Sequence, residues 1–117
     1  PQGHGYTVME CVRRNPFFEQ GGTFKGHEFH YSRILGLDAT YPFVFKLEKG
    51  HGVVAGYDGM SYKNVLASYS HLHAVGNAEW AQAVVCAAER YRQERSHACA
   101  HNPEHLMSGG TRHLSLI

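Results

Sequence analysis

Residues 65–74, VLASYSHLHA, combine a strand-like pattern with two closely spaced histidines. Small or apolar residues alternate with polar ones, which is typical of a half-buried β-strand. The run ends on His71 and His73, whose side chains would share one face of such a strand. An unpaired imidazole is costly to bury, so the two histidines indicate a metal site, a catalytic base or a polar strand end.

The residues before this stretch also predict β-structure. On a strand over 24–34, His27 and Phe29 would share one face, with Glu28 and His30 on the other. The segment RNPFFEQGG predicts a turn because it contains Asn-Pro and Gly-Gly. Asp58-Gly59 and Lys63-Asn64 are expected to form two further turns. Strands are expected at 5–13, 24–34, 43–48, 53–57 and 65–71.

The hydrophobic period changes at Asn77, a suitable N-cap that is followed by Glu79, whose charge favours a helix N-terminus. A helix is therefore expected over 77–95. Residues 96–117 lack periodicity and contain Pro and Gly-Gly, which predicts a loosely ordered tail. The apolar stripe of the helix consists of Trp80, Val84, Ala87, Ala88 and Tyr91.

Composition limits the function classes. The chain has 117 residues, 43% hydrophobic and 18% charged, which indicates one globular domain or part of one. A net charge of +1 without a basic stripe argues against a nucleic-acid partner, and no apolar run is long enough for a membrane span. Three cysteines without a CxxC motif indicate a reducing cytoplasm. The chain has neither an initiator Met nor a signal peptide, so it is expected to begin inside a longer protein.

Metal binding is one function that the paired histidines could serve. In GHEFH, His27 and His30 would point to opposite faces of a strand, whereas the helical metalloprotease motif needs histidines at i and i+4. His71 and His73 would need a third ligand, for instance Glu28 or His30. No metal is therefore predicted. From the local pattern, His71 and His73 could still be either two surface histidines at a strand end or two metal ligands.

A catalytic base would need a nucleophile. A cysteine nucleophile normally sits on a tight turn beside glycine, where backbone N–H groups can form an oxyanion hole. Cys11 lies in a predicted strand, Cys86 in the predicted helix and Cys99 in the tail, and none has an adjacent glycine. Local pattern therefore gives a possible base and no nucleophile.

Three segments together resemble the C-terminal amidotransferase region of cobyrinic acid a,c-diamide synthases: PQGHGYTVMECVRRNPFF (1–18), GHEFHYSRI (26–34) and YKNVLASYSHLHA (62–74). The likeness runs to about residue 91 and extends to relatives that amidate hydrogenobyrinic acid, sirohydrochlorin or sirohaem. It implies an α/β fold, the C-terminal part of a class I glutamine amidotransferase-like, flavodoxin-like three-layer domain, with β-strands followed by one C-terminal helix. Residues 1–95 would form this part, and residues 96–117 the tail.

The resemblance also implies an activity. The whole enzyme would take ammonia from glutamine and use ATP and Mg²⁺ to convert tetrapyrrole carboxylates to amides. The family's histidine follows Tyr-x, which here is Tyr69-Ser70, so His71 would be the catalytic base. The nucleophilic cysteine and an N-terminal synthetase domain would lie upstream, so this piece alone is expected to bind no cofactor and to be inactive.

The resemblance leaves the residue that orients the base open. The wider class of triad amidotransferases has His-x-Glu, whereas this chain has His73 at that position. His73, Glu28 and His30 are therefore the candidates for a supporting role. The alternative function is a small histidine-rich metal-binding or interaction module without catalysis.

Overall fold

The structure is a computed structural model that describes residues 1–101. Its elements, in chain order, are seven strands and one helix. They are β1 (Gly3–Cys11), β2 (Thr23–His30), β3 (Phe45–Lys49), β4 (Tyr57–Asp58), β5 (Met60–Tyr62), β6 (Val65–Ala67), β7 (His71–Leu72) and α1 (Glu79–His101).

The strands form one five-stranded sheet in the order β4-β3-β1-β2-β7 and a separate β5–β6 hairpin. All the paired strands run antiparallel. Strand β1 is central because it pairs with β2 on one side and β3 on the other. The combination of β-strands with one C-terminal helix confirms the expected α/β class.

One face of the sheet carries the core. Burial alternates along β1, where Thr7, Met9 and Cys11 point inward, as the two-residue period of a strand requires. The buried apolar cluster is completed by side chains of β2, β3 and the residue before β3, and Phe18 packs against Phe24 with ring centroids 4.7 Å apart. Its members are Met9, Cys11, Phe24, Val44, Phe45 and Leu47.

The predicted turn between β1 and β2 is present. Asn15 organises it: the side-chain oxygen accepts hydrogen bonds from the backbone N–H groups of Phe17 and Phe18. The side-chain nitrogen of Asn15 donates to the carbonyl oxygens of Arg13 and Phe18. This turn brings Phe18 over the core.

The prediction of a strand over residues 53–57 is wrong. The N–H of Tyr57 donates to the carbonyl oxygen of Val54 at 2.8 Å, so the chain reverses there in a tight turn. The two central residues, Ala55 and Gly56, have φ of 48° and 77°, the left-handed values that such a turn requires. Only Tyr57–Asp58 remains as a strand.

The two predicted turns that follow had different outcomes. Lys63-Asn64 is confirmed as a hairpin turn, since Tyr62 pairs with Val65. Asp58-Gly59 is not a hairpin tip, because the chain passes there from β4 of the large sheet to β5 of the hairpin. The predicted strand 65–71 is interrupted at residues 68–70, which separate β6 from β7.

The chain divides into two compact units, Pro1–Ala87 and Ala88 onward. In the first unit, α1 begins at Glu79, and the Trp80 and Val84 side chains of the predicted stripe line an apolar groove with Phe18 and Leu72. In the second unit, α1 continues past its predicted end near residue 95 to His101. The remainder of the predicted tail, 102–117, lies outside the described residues. Within residues 1–101, no helix has the length and apolarity needed to cross a membrane.

Candidate active site

His71 is the first residue of the short strand β7, at one edge of the sheet. Strand β7 pairs with β2, with His71 opposite His27 and Leu72 opposite Gly26. The His71 and His27 side chains are exposed on the sheet face away from the core, and their ring centroids are 5.0 Å apart. The predicted base is therefore accessible and has a second imidazole as its neighbour.

Gly26 allows β7 to approach β2 this closely. A Cβ atom on residue 26 would lie 2.5 Å from the backbone oxygen of His71 and 3.1 Å from the Thr7 hydroxyl oxygen. A contact of 2.5 Å with backbone is not possible without displacing one of the two strands. A glycine inside a strand commonly marks such a close approach of two backbones.

Asp58 fixes the residues that lead into β7. One of its carboxylate oxygens accepts from the N–H of Gly59 at 2.8 Å and of Tyr69 at 3.1 Å. The other accepts from the N–H of Ser70 at 2.8 Å. Because Asp58 is fully buried, these bonds replace the water that the carboxylate loses on folding. They also interrupt the predicted strand 65–71, since Tyr69 and Ser70 bind a side chain rather than a neighbouring strand.

Asn77 holds the chain on the other side of His71. Its side-chain oxygen accepts from the N–H of Lys25, and its side-chain nitrogen donates to the Lys25 carbonyl oxygen at 2.9 Å. The same nitrogen donates to the carbonyl oxygen of His73 at 3.1 Å. The predicted N-cap side chain thus bridges β2 and the segment after β7, and the helix begins two residues later, at Glu79.

His73 lies just beyond β7 and is exposed. Its Nδ1 atom accepts a hydrogen bond from the backbone N–H of Val75 at 3.2 Å. One ring nitrogen is thus engaged in the turn between β7 and α1. This contact gives His73 a local structural role and uses an acceptor that a supporting residue would need.

Glu28, the second predicted supporting residue, is buried and faces inward, with only 1% of its surface exposed. Its carboxylate accepts from the backbone N–H of His51 at 2.6 Å and of Gly52 at 3.0 Å. Burial favours the neutral form of Glu28, but these two hydrogen bonds and that from His30 outweigh it and lower its pKa below the usual value. Glu28 is therefore an ionised anchor for the 51–52 loop.

His30, the third predicted supporting residue, lies beside Glu28. Its Nε2 is 3.3 Å from a Glu28 carboxylate oxygen and its Nδ1 is 2.9 Å from the carbonyl oxygen of Ser32. The ring stacks on Tyr69 with centroids 3.8 Å apart. The sequence proposed Glu28 or His30 as the partner of the His71 ring, but adjacent strand residues face opposite ways, and the neighbour on the side of His71 is His27.

The described cysteines are not placed as nucleophiles. Cys11 is fully buried in the core, and burial raises the pKa of its thiol despite hydrogen bonds with Arg13 and Asn15 that lower it. A protonated, buried thiol is a poor nucleophile. The Cys86 sulfur lies in α1 and accepts a hydrogen bond from Gln82 at 3.2 Å. Among the described side chains, no group of three or more histidine, cysteine, aspartate or glutamate residues is placed to hold a metal ion.

Comparison with known proteins identifies the family to which this chain belongs. The profile of the CobB/CobQ-like glutamine amidotransferase domain matches residues 2–79, which include all of the strands and His71. The chain belongs to this family, and the resemblance inferred from the sequence is confirmed.

Individual relatives agree with the family match. The chain is 42% identical over 80 residues to a cobyrinate a,c-diamide synthase of Methanothermobacter thermautotrophicus, covering 68% of this chain and 18% of the relative. It is 37% identical over 81 residues to that of Magnetococcus marinus, covering 69% of this chain and 17% of the relative. The chain thus spans less than a fifth of the length of these curated relatives. No solved structure matches it.

Proposed function

We propose that this chain supplies the histidine side of the glutaminase site of a larger amidotransferase of the cobyrinate a,c-diamide synthase type. The observation that supports the proposal is the placement of His71. It is exposed on an edge strand inside the family-matched region, and Asp58 and Asn77 hold the backbone on either side of it. A base that must meet a group from another part of the protein needs such an accessible, fixed position.

In the proposed mechanism, His71 accepts the proton of a cysteine thiol that another segment of the enzyme contributes. The thiolate attacks the side-chain amide carbon of glutamine, and His71 returns the proton to the nitrogen, which leaves as ammonia. Water then hydrolyses the resulting thioester to glutamate. An imidazole suits both steps, because the ring nitrogen that takes up the thiol proton can return it, from the imidazolium, to the leaving nitrogen.

The ammonia is proposed to amidate a carboxylate of a tetrapyrrole, because the relatives described above are cobyrinate a,c-diamide synthases. The sequence contains no GxxxxGK[ST] loop to cradle phosphates. ATP and Mg²⁺, which would activate the carboxylate, are therefore assigned to a synthetase domain elsewhere in the enzyme. Cobyrinic acid, hydrogenobyrinic acid, sirohydrochlorin and sirohaem are the substrates to compare.

A domain exchange tests this function. Residues 2–79 would replace the matching region of the Methanothermobacter relative, and glutamine-dependent amidation of cobyrinate would be measured. We expect the chimera to retain glutamine use. A chimera that folds and amidates with ammonium but never with glutamine would contradict the proposal.

One observation favours the alternative function of a histidine-rich metal-binding module. The exposed His27 and His71 rings are close enough to be considered as two ligands of one transition-metal ion. Stoichiometric zinc, nickel or copper in protein purified without added metal would favour this function. Metal-free protein would leave the amidotransferase proposal as the better supported of the two.

A further inference from the structure

The base of a cysteine–histidine pair needs a partner for its second ring nitrogen. In the neutral imidazole one nitrogen carries the proton and the other accepts, and the group bound to one nitrogen decides which tautomer is present. For His71 to take a thiol proton at one nitrogen, the other should donate its N–H to an acceptor. A base without such a partner divides its population between two tautomers, and only one of them is productive.

The three residues suggested by the sequence do not provide this acceptor. Glu28 and His30 lie together on the inward side of β2, where Glu28 accepts from His51 and Gly52. His73 already uses Nδ1 to accept from the backbone of Val75. Triad amidotransferases have a glutamate at the position that His73 occupies here, so this chain lacks the usual carboxylate. An acceptor for the His71 ring must therefore come from the sheet face on which His71 lies.

That face offers His27. It is directly opposite His71 in the β2–β7 register, and the two rings lie 5.0 Å apart at an interplanar angle of 34°. Within the described part of the chain, neither ring takes part in a hydrogen bond or an ion pair. Rotation about χ2, which is a broad torsion in histidine, can bring a nitrogen of one ring towards a nitrogen of the other.

We propose that His27 is the positioning residue of the glutaminase base: its unprotonated ring nitrogen accepts the N–H of His71 and leaves the other nitrogen of His71 bare towards the nucleophile. This inference rests on the proposed function of His71. It gives a role to the first histidine of GHEFH that neither the metalloprotease spacing nor the core explains. The strand pairing that Gly26 permits is what brings the two rings together.

The first test measures the tautomer and requires no activity. Long-range ¹H–¹⁵N spectra of the 117-residue chain, recorded where the histidines are neutral, would report the protonated nitrogen of His71. We expect one dominant tautomer in the wild type, an approach to the free-imidazole mixture in His27→Ala, and no change in His4→Ala. The control is matched because His4 is an exposed histidine of the neighbouring strand whose ring contacts Phe29. An unchanged His71 tautomer in folded His27→Ala would overturn the proposal.

The second test uses the complete enzyme that contains this region. His27→Ala should lower kcat for glutamine-dependent amidation by about 10- to 100-fold, as expected when a catalytic group is misplaced. Amidation driven by ammonium should be unchanged. His27→Gln, whose amide oxygen can accept, should recover most of the loss, whereas His27→Lys, which can only donate, should not. Equal recovery by Gln and Lys would contradict an acceptor role.

The two tests separate this inference from the function on which it rests. If His71→Asn leaves glutamine use intact, the function of His71 fails whatever the spectra of the His27 variants show. If His71→Asn abolishes glutamine use while His27→Ala leaves both the tautomer and kcat unchanged, only the role of His27 fails.

Discussion

The carboxylate of Asp58 accepts a 2.8 Å hydrogen bond from the backbone N–H of Ser70, the residue directly before His71. This contact joins the end of β4 to the start of β7, the first and last strands in the order of the five-stranded sheet. The second oxygen of Asp58 binds the N–H of Tyr69, so both residues before the proposed base depend on one side chain. Its loss should affect both stability and the position of His71.

Asp58→Ala should lower the free energy of unfolding by about 1–3 kcal/mol for each N–H that remains buried without a partner. Asp58→Asn should cost less, because its single oxygen can still accept. Urea denaturation measures both variants, with Asp38→Ala as a control at an exposed aspartate. Equal stabilities for the Ala variant and the wild type would show that water satisfies the freed N–H groups as well as the Asp58 carboxylate does.

Glu28→Gln should change how stability depends on pH. The pKa of Glu28 is lowered on folding, so its contribution is fully present above the unfolded pKa of about 4.3 and is lost as the pH falls through the lower folded value. Between pH 6 and pH 3, the variant should therefore lose less stability than the wild type. Denaturant titrations at several pH values would measure this difference. The exposed Glu19→Gln variant serves as the control and should follow the wild type.

Gly26→Ala should disrupt the pairing of β2 with β7. The added Cβ would press against the backbone oxygen of His71, and overpacking of this kind typically costs about 1–3 kcal/mol. Gly76→Ala is a matched control, since a Cβ there would meet the nearest atom at an ordinary 3.6 Å. Chemical shifts of the His71 and His27 rings should change in the first variant and not in the second. Identical ring shifts in both variants would show that the strand pairing does not depend on Gly26.

The 117-residue chain alone should release no glutamate from glutamine. The thiol of Cys11 is buried with a raised pKa, and Cys86 lies in a helix. Glutamate would be assayed against a buffer blank, with and without iodoacetamide. Release that alkylation abolishes would contradict this expectation and would mean that one of the chain's own cysteines is a nucleophile.

The sequence predicted the outline of the fold because its strongest signals are local. Strand alternation placed Glu28 and His27 on opposite faces, and the change of period placed the helix to within a few residues at its start. The predictions failed where side chains replace backbone pairing. Val53 and Val54 have strand propensity but precede a left-handed turn, and Asp58-Gly59 has a hairpin signature although Asp58 binds residues far along the chain.

The site could be predicted only in part. The Tyr-x-His pattern made His71 the proposed base, but its relation to His27 depends on the β2–β7 register, which is a long-range property. Glu28 is a chemically reasonable partner for an imidazole. It is excluded because side chains alternate along β2, which places Glu28 on the sheet face opposite to His27 and His71. A signal was available in Gly26, since glycine inside a strand indicates close approach, but the sequence does not say of which strand.

The most direct measurement of the central claim compares two ammonia sources in a complete enzyme that contains this region. His71→Asn should reduce glutamine-dependent amidation by about 10²- to 10⁴-fold, because Asn keeps some hydrogen bonding but transfers no proton. Amidation with ammonium should remain at the wild-type rate, and His73→Asn should have a smaller effect on glutamine use. If His71→Asn retains glutamine use while His73→Asn abolishes it, or if His71→Asn also loses ammonium-driven amidation, His71 is not the glutaminase base.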